Sequence, residues 1–294
     1  MNERIAKYDP SDEAISTYQE VGVVYLPDIL DAEWIKHLAA SIDEVVERDD
    51  LIVRNFSKIA ETLVDPEKPA EPGSLQERLA DKIGKATGRF LMGCGNWSKT
   101  QDLRALITHT CLGRIAGALM QSSEVRVHND LMFCKEPGSL HRTAWHQDMS
   151  YWNIQGDQCL TLWIPVDVVD EGNGMMGYIR GSHRWQDEFK SNRIVSEITH
   201  EAAAGKTLTV EGHEDEFDIV YIPAKPGDII AHHVRTIHGA TGNTVSRTRR
   251  AAAFSYVGDD IRYFRRSFTP ESFEGTNGDL LREPRHPVVW SAAG

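Results

Sequence analysis

The chain has 294 residues and a mass of 33.0 kDa, and its 44 acidic side chains outnumber 32 basic ones to give a net charge of −12. That charge argues against nucleic acid or an anionic membrane as a partner, because phosphate groups would repel such a surface. The sequence contains no apolar run of about 18 residues and no signal-peptide pattern at its start. Four cysteines, at positions 94, 111, 134 and 159, have no metal-binding or redox spacing. Together these features predict free thiols and a cytoplasmic protein.

The first part of the chain is dominated by helical patterns. Residues 11–20 are typical of a short helix, and an apolar segment rich in β-formers follows them. Asp31 has the position of an N-cap for a helix over 32–47, in which apolar residues recur every three or four positions. A further helix is predicted over 101–120, whereas residues 48–98 show less regular patterning.

After residue 120 the hydrophobic pattern changes to a period of two. Alternating residues of the first such segment are expected to share one strand face, namely Val125, Val127, Asn129, Leu131 and Phe133. Further short strands are predicted at Cys159–Val166, Gly177–Ile179, Val220–Ile222, Ile229–His232 and Arg249–Val257. Helices followed by many short strands predict an α+β chain with an antiparallel sandwich or barrel at its core. We expect a single domain over 1–294, with the polar stretch 183–218 as a candidate lid.

Histidine and aspartate occur two residues apart more often than expected. Composition alone gives about one His-x-Asp pair, and the chain has three: His128 with Asp130, His146 with Asp148, and His213 with Asp215. Such a pair can supply two ligands of the facial triad of non-haem iron oxygenases. A polar sheet face accounts for the first pair, and an exposed acidic loop accounts for the third. The middle pair has Trp145, Tyr151 and Trp152 close by, as expected of a site that excludes bulk water.

The third metal ligand has three candidates in one short stretch, His232, His233 and His238. His232 and His233 are neighbours and point to opposite faces of an extended chain. His238 precedes Gly239, at which the backbone can come close to a bound ion. The residue pattern alone leaves the choice open.

A carboxylate-binding arginine also has three candidates, because Arg247, Arg249 and Arg250 open the last predicted strand. Arg249 shares its face with Ala251 and Ala253, which are small. A guanidinium that projects into a space lined by small side chains is suited to a bidentate interaction with a carboxylate. A surface charge remains the alternative for each of the three.

Taken in order, these residues resemble the phytanoyl-CoA dioxygenase-like family of Fe(II)/2-oxoglutarate-dependent oxygenases. The resemblance covers roughly residues 12–265 and rests on short motifs in the family's order. These are Lys135-Glu136-Pro137-Gly138, Thr143 to Asp148, Leu162-Trp163-Ile164-Pro165, Asn173-Gly174, Gly181-Ser182-His183, Gly227-Asp228, His238-Gly239-Ala240, Asn243 and Arg249. The family's fold implies a double-stranded β-helix, a cupin-like jelly roll, with the N-terminal helices packed outside it.

The resemblance also implies roles for individual residues. It makes His146, Asp148 and His238 the Fe(II) ligands, and it selects Arg249, eleven residues after His238, to bind 2-oxoglutarate. Asn129 and Trp163 lie near positions at which relatives contact this cosubstrate. The implied cofactors are therefore Fe(II), 2-oxoglutarate and dioxygen.

The implied activity is the hydroxylation of an unactivated C–H bond of a small or medium organic substrate, with release of succinate and carbon dioxide. The carboxylate of Asp148 distinguishes the chain from related halogenases, which lack it. The run Met149 to Ile154 departs from the signature of ectoine hydroxylases, which argues against ectoine as the substrate. The alternative is a cupin-like metal-binding barrel that does not use 2-oxoglutarate. The sequence does not determine the oligomeric state.

Overall fold

The computed structural model describes residues 8–48, 51, 53–65, 67, 70–196, 198–267 and 275–293. The α-helices within these residues are α1 (Asp12–Val21), α2 (Ala32–Glu47), α3 (Phe56–Glu61), α4 (Leu75–Lys85), α5 (Gln101–His109) and α6 (Leu112–Met120). The strands of the first half are β1 (Val23–Leu26), β2 (Val53–Asn55), β3 (Phe90–Cys94), β4 (Glu124–Lys135) and β5 (Thr143–His146). The strands that follow are β6 (Ile154–Gln155), β7 (Cys159–Pro165), β8 (Met176–Ile179), β9 (Ile219–Ile222), β10 (Ile229–His233), β11 (His238–Ala240), β12 (Arg249–Val257), β13 (Arg262–Tyr263) and β14 (Val288–Ser291).

Two antiparallel sheets form the centre of the molecule. The larger sheet has the order β1-β10-β7-β12-β4-β3-β2, with β14 also paired to β4, and the smaller sheet has the order β5-β11-β8-β9. Strands that are neighbours in these sheets are distant in the chain, as in a jelly roll. The predicted fold class, an α+β chain built on a double-stranded β-helix, is confirmed. Strands β7, β8, β9, β10 and β12 begin and end within one residue of their predicted bounds.

Alternation along β12 separates the helix layer from the interior between the sheets. Ala252, Phe254 and Tyr256 pack in one buried cluster with the apolar residues of α1, α2, α5 and α6. Ala251 and Ala253 point the other way, into the cluster between the two sheets. The odd-numbered side chains of this strand, which include Arg249, therefore face the interior.

The predicted helix over 101–120 is wrong in one respect, because two helices with an interruption occupy this range. Thr110 is extended, with φ −106° and ψ −172°, and separates α5 from α6. Its hydroxyl donates to the carbonyl of Leu106 at 2.7 Å and accepts from the amide of Leu112 at 3.3 Å. A threonine side chain that bonds to nearby backbone in this way competes with helix continuation. The region 48–98 is also more ordered than its pattern indicates, because α3, α4, β2 and β3 lie there.

The prediction that alternate residues from Val125 to Phe133 share one face of β4 is also wrong, because a β-bulge divides the strand. Ser255 of β12 lies opposite Asn129, whereas Tyr256 lies opposite Val127, so that His128 is an extra residue. One extra residue reverses the alternation. Val125 and Val127 consequently pack against the helices. Asn129, Leu131 and Phe133, on the other side of the bulge, line an internal cavity.

Two further sequence expectations concern membranes and thiols. Within the described residues, no helix has both the length and the apolar character required to cross a membrane. The four cysteines are unpaired, as their spacing predicts.

The start of α2 provides a test of how the helix layer is stabilised. Asp31 accepts a hydrogen bond from the amide of Trp34 at 2.9 Å and thus caps the helix. We expect Asp31→Ala to lower the free energy of unfolding by about 1 kcal/mol, as measured by urea denaturation. Asp31→Asn is the matched control, since asparagine keeps the acceptor oxygen. Equal stabilities of the alanine variant and the wild type would contradict this assignment of the cap.

Candidate metal centre

The smaller sheet brings two histidines and an aspartate together. His146 ends β5 and His238 begins β11, and the two residues are Cα partners in the antiparallel pairing of these strands. Asp148 begins a short 3₁₀ helix directly after β5. All three are buried, and their ligand atoms lie within 4.8 Å of one another. Asp148 Oδ1 is 3.6 Å from His146 Nε2 and 3.7 Å from His238 Nε2. Two imidazoles and a carboxylate thus converge on one small volume.

The hydrogen bonds of the two imidazoles fix which nitrogen faces that volume. His146 Nδ1 lies 2.8 Å from the carbonyl oxygen of Ala144, and His238 Nδ1 lies 2.9 Å from that of Thr236. A carbonyl oxygen only accepts, so each Nδ1 carries the proton and each Nε2 keeps its lone pair. Metal-binding histidines in proteins are oriented in this way. Burial, followed by the nearby His146 and His232, holds the pKa of His238 well below its usual value and favours the neutral ligand form.

The second oxygen of Asp148 is held by residues of the larger sheet. Oδ2 accepts from the hydroxyl of Thr161 at 2.9 Å and lies 3.3 Å from His232 Nε2. The Thr161 hydroxyl is itself 3.1 Å from that of Ser255. Donation from a hydroxyl favours the charged form of a carboxylate. The carboxylate is therefore ionised and presents Oδ1 to the two Nε2 atoms.

Arg249 lies in the same cavity and is almost completely buried, with 2% of its surface exposed. Its guanidinium donates to the carbonyl oxygens of Asn173 at 3.3 Å and Gly174 at 3.1 Å. Gly174 has φ +94°, and a Cβ at this position would lie 2.8 Å from Arg249 Nη2, so the site requires glycine there. Burial lowers the pKa of Arg249 to about 10, which leaves it charged at neutral pH. Among the described residues it has no carboxylate partner.

The triad and Arg249 share a cavity of about 560 Å³, which also contains Asn129 and Trp163. The Trp163 ring centroid is 5.7 Å from the guanidinium carbon of Arg249. The Asn129 amide contacts the sulfur of Cys94. All six site residues expected from the sequence thus line one cavity. Its volume is in the range typical of small-molecule sites.

His232 lies in the same cavity beside Asp148, whereas the two other His-x-Asp pairs and His233 lie elsewhere. Asp130 is buried and accepts hydrogen bonds from the amides of Asn96 and Trp97. His213 is exposed and pairs with Glu216. His233 is buried against His183 rather than beside the triad. His128, the partner of Asp130 in its motif, packs against Trp152 and His286.

The three candidate arginines differ in the residues that they contact. Arg250 points to the helix side and pairs with Asp167 and Asp43. Arg247 is half-exposed and pairs with Asp170. Neither is near the triad, so Arg249 is the one of the three that enters the cavity.

Some residues near the site were missed or misread by the sequence analysis. Thr161, which was missed, donates to Asp148 Oδ2, and its inward-facing position on β7 is its one signal in the sequence. His232, a candidate for the third metal ligand, instead lies beside the same oxygen. Trp145, expected as a wall of the site, packs on the far side of the smaller sheet with Ile237. Gly239 leaves space for that ring, because a Cβ there would lie 3.1 Å from it. The glycine therefore serves packing rather than the approach of an ion.

Residues 18–251 match the model of the family described as "Phytanoyl-CoA dioxygenase (PhyH)". The chain belongs to this family. A probable alpha-ketoglutarate-dependent hypophosphite dioxygenase of Stutzerimonas stutzeri is 30% identical over 136 residues, which are 46% of this chain and 46% of that protein. This alignment therefore spans about half of that relative. A phytanoyl-CoA dioxygenase domain-containing protein 1 homolog of Caenorhabditis briggsae is 26% identical over 80% of this chain and 86% of that protein.

Several solved structures share the fold of this family member. The alpha ketoglutarate dependent carbocyclase SnoK from nogalamycin biosynthesis superposes with a TM-score of 0.69 at 23% identity, covering 96% of this chain and 97% of that one. The epimerase SnoN, solved with Fe³⁺, alpha ketoglutarate and nogalamycin RO, gives a TM-score of 0.70 at 20% identity, covering 95% and 98%. EctD from S. alaskensis, solved with 2-oxoglutarate and 5-hydroxyectoine, gives 0.62 at 17% identity, covering 94% and 88%.

The convergence of the triad makes a direct prediction about metal binding. We expect His146→Ala to abolish high-affinity binding of Co²⁺ or Mn²⁺ in equilibrium dialysis, because two ligands do not hold a divalent ion as three do. His213→Ala is the matched control, since it removes a histidine from another His-x-Asp pair on the surface. Equal metal content in the His146→Ala variant and the wild type would refute the assignment of this site.

Proposed function

We propose that this protein is an Fe(II)/2-oxoglutarate-dependent dioxygenase in which His146, Asp148 and His238 bind iron. The observation that carries this proposal is the buried triad beside the charged Arg249, which has no carboxylate partner among the described residues. The donor set fits Fe(II), because two neutral imidazoles and one carboxylate form a facial triad. A buried guanidinium without a counter-ion is costly, and the distal carboxylate of 2-oxoglutarate would neutralise it.

The chain's own residues perform the binding and orienting steps. With 2-oxoglutarate and dioxygen, a centre of this kind supplies an oxidant able to attack C–H bonds, while the cosubstrate becomes succinate and carbon dioxide. Arg249 binds the 5-carboxylate of the cosubstrate, and Trp163 restrains the guanidinium from one side. Asn129 lies in the same cavity within reach of the cosubstrate. Thr161 and His232 keep Asp148 ionised and oriented, so that one of its oxygens faces the ion.

We further propose hydroxylation of a small or medium organic substrate as the reaction outcome. The cavity of about 560 Å³ accommodates an organic molecule beside the cosubstrate. Its walls near Tyr151, Leu131 and Phe133 limit access of water to the reacting atoms. Structural relatives named as a carbocyclase and an epimerase indicate that one fold supports several outcomes. Hydroxylation requires only one C–H bond of the substrate within reach of the oxidant.

The segment 183–218 is proposed as the lid of this site within a single domain. It connects β8 to β9 and contributes Ser191, Asn192 and Ile194 to the cavity wall. Asn192 is tied to the metal-site strand, because its amide nitrogen donates to the carbonyl of Trp145 at 2.9 Å. Its amide oxygen accepts from the hydroxyl of Tyr151 at 2.7 Å. The segment therefore closes the cavity directly over β5.

Binding of the cosubstrate tests this function against a metal-binding barrel that does not use 2-oxoglutarate. We expect Arg249→Gln to raise the Kd for 2-oxoglutarate at least about tenfold, as measured by calorimetry on the Fe(II)-loaded protein without oxygen, because a charge-assisted carboxylate contact is lost. Arg247→Gln is the matched control, as it removes an exposed arginine from the same segment. The wild type is also expected to form succinate only when iron and oxygen are both present. Unchanged 2-oxoglutarate binding in the Arg249 variant would favour the barrel alternative.

A further inference from the structure

The mouth of the cavity carries basic side chains that the proposed chemistry does not use. Arg54 lies on β2, whereas Arg193 and His200 belong to the segment between β8 and β9, and all three line the cavity. Both arginines are exposed, and no described side chain pairs with either guanidinium. The pKa of His200 is lowered by its burial and then by Arg193 and Arg54. The three side chains are therefore close enough to interact electrostatically.

The backbone on either side of Arg193 is firmly held. Asn192 makes the two hydrogen bonds to β5 and Tyr151 described above. Ile194 has φ +65°, a conformation that is strained for a β-branched residue. Its carbonyl accepts from the amide of Ala144 at 2.6 Å and its amide donates to the Asn192 side chain at 2.8 Å. Strain maintained by such contacts is typical of functional segments. It fixes the position from which Arg193 projects.

The cavity wall has a positive net charge, whereas the whole chain has a negative one. Three arginines, Arg54, Arg193 and Arg249, are present in its wall, and Asp148 is the one described carboxylate there. The chain as a whole carries −12. Asp148 faces the metal and Arg249 faces the cosubstrate, so the charges of Arg54 and Arg193 are left for another ligand. A positive entrance on a negative protein concentrates anions locally.

An apolar wall lines the same cavity beside these cations. Phe56, Ile59, Met92 and Phe133 line it and belong to one buried hydrophobic cluster. Apolar surface of this kind binds hydrocarbon rather than a small hydrated ion. The ligand that satisfies both walls has an acidic group at one end and an apolar body.

We propose that Arg54, Arg193 and His200 bind the acidic group of an amphipathic organic anion, whose apolar body lies along the Phe56 wall toward the triad. This assignment rests on the proposed function, since it names the substrate class of that site. A carboxylate and a phosphate share the required chemistry, and both are tested below.

Matched ligands of one chain length test the proposal. The probes are decanoate, decyl phosphate and the neutral decanamide, titrated without oxygen into the full chain loaded with Fe(II) and 2-oxoglutarate. Because 2-oxoglutarate is bound to Arg249 under these conditions, the anionic probes cannot bind to that residue. We expect an anion to bind at least about tenfold more tightly than decanamide. We expect the double variant Arg54→Gln, Arg193→Gln to lose this preference and the corresponding double lysine variant to keep most of it.

Arg104→Gln is the control for a change of charge, because Arg104 is exposed on α5 and does not line the cavity. It is expected to bind the anions as the wild type does. Equal binding of anion and amide by the wild type, no binding of either anion, or a preference that persists in the double glutamine variant would each overturn the proposal. Binding of 2-oxoglutarate to the wild type is recorded first. Its absence would refute the proposed function, whereas the dependence of anion binding on Arg54 and Arg193 decides the substrate class in either case.

Discussion

The pairing of β5 with β11 is the constraint on which the candidate site depends. It makes His146 and His238 cross-strand partners, and their ring centroids lie 4.2 Å apart. A shift of one residue in this register would turn one imidazole to the opposite face of the sheet. Asp148 joins the pair because the chain turns into a 3₁₀ helix directly after β5. Two residues 92 positions apart in the sequence thus become neighbours through the pairing of two strands.

Burial gives this arrangement its chemistry. Each Nδ1 donates to a backbone carbonyl of its own strand or turn. The Nδ1 atoms are therefore fixed as donors, and the Nε2 atoms are the proposed metal ligands. The low dielectric constant of the interior makes the charges of Asp148 and Arg249 effective at short range. Both groups would be costly without counter-charges. In the proposed function, an iron ion and a dicarboxylate cosubstrate would supply those counter-charges, which connects the stability of the site to that function.

The sequence was most informative where local rules act. Capping predicted the start of α2, alternation placed Arg249 on one face with Ala251 and Ala253, and the family motifs selected side chains that the structure brings into one cavity. The errors arose where a single residue changed the local geometry. Thr110 divided a helix by bonding to its backbone, and the extra residue in β4 reversed the face of Val127. Neither event leaves a periodic signal.

Residues that act through distant contacts were not identified by pattern alone. Thr161 reaches Asp148 from another strand, and Arg54 reaches the cavity mouth from a segment with no motif. His232 was a candidate metal ligand, and its contact with Asp148 Oδ2 depends on strand pairing that the sequence does not show. Anomalous diffraction from crystals grown with Mn²⁺ tests the central claim most directly. We predict a single strong peak bonded to His146 Nε2, Asp148 Oδ1 and His238 Nε2. A peak bound to other residues, or no peak between these three side chains, would contradict it.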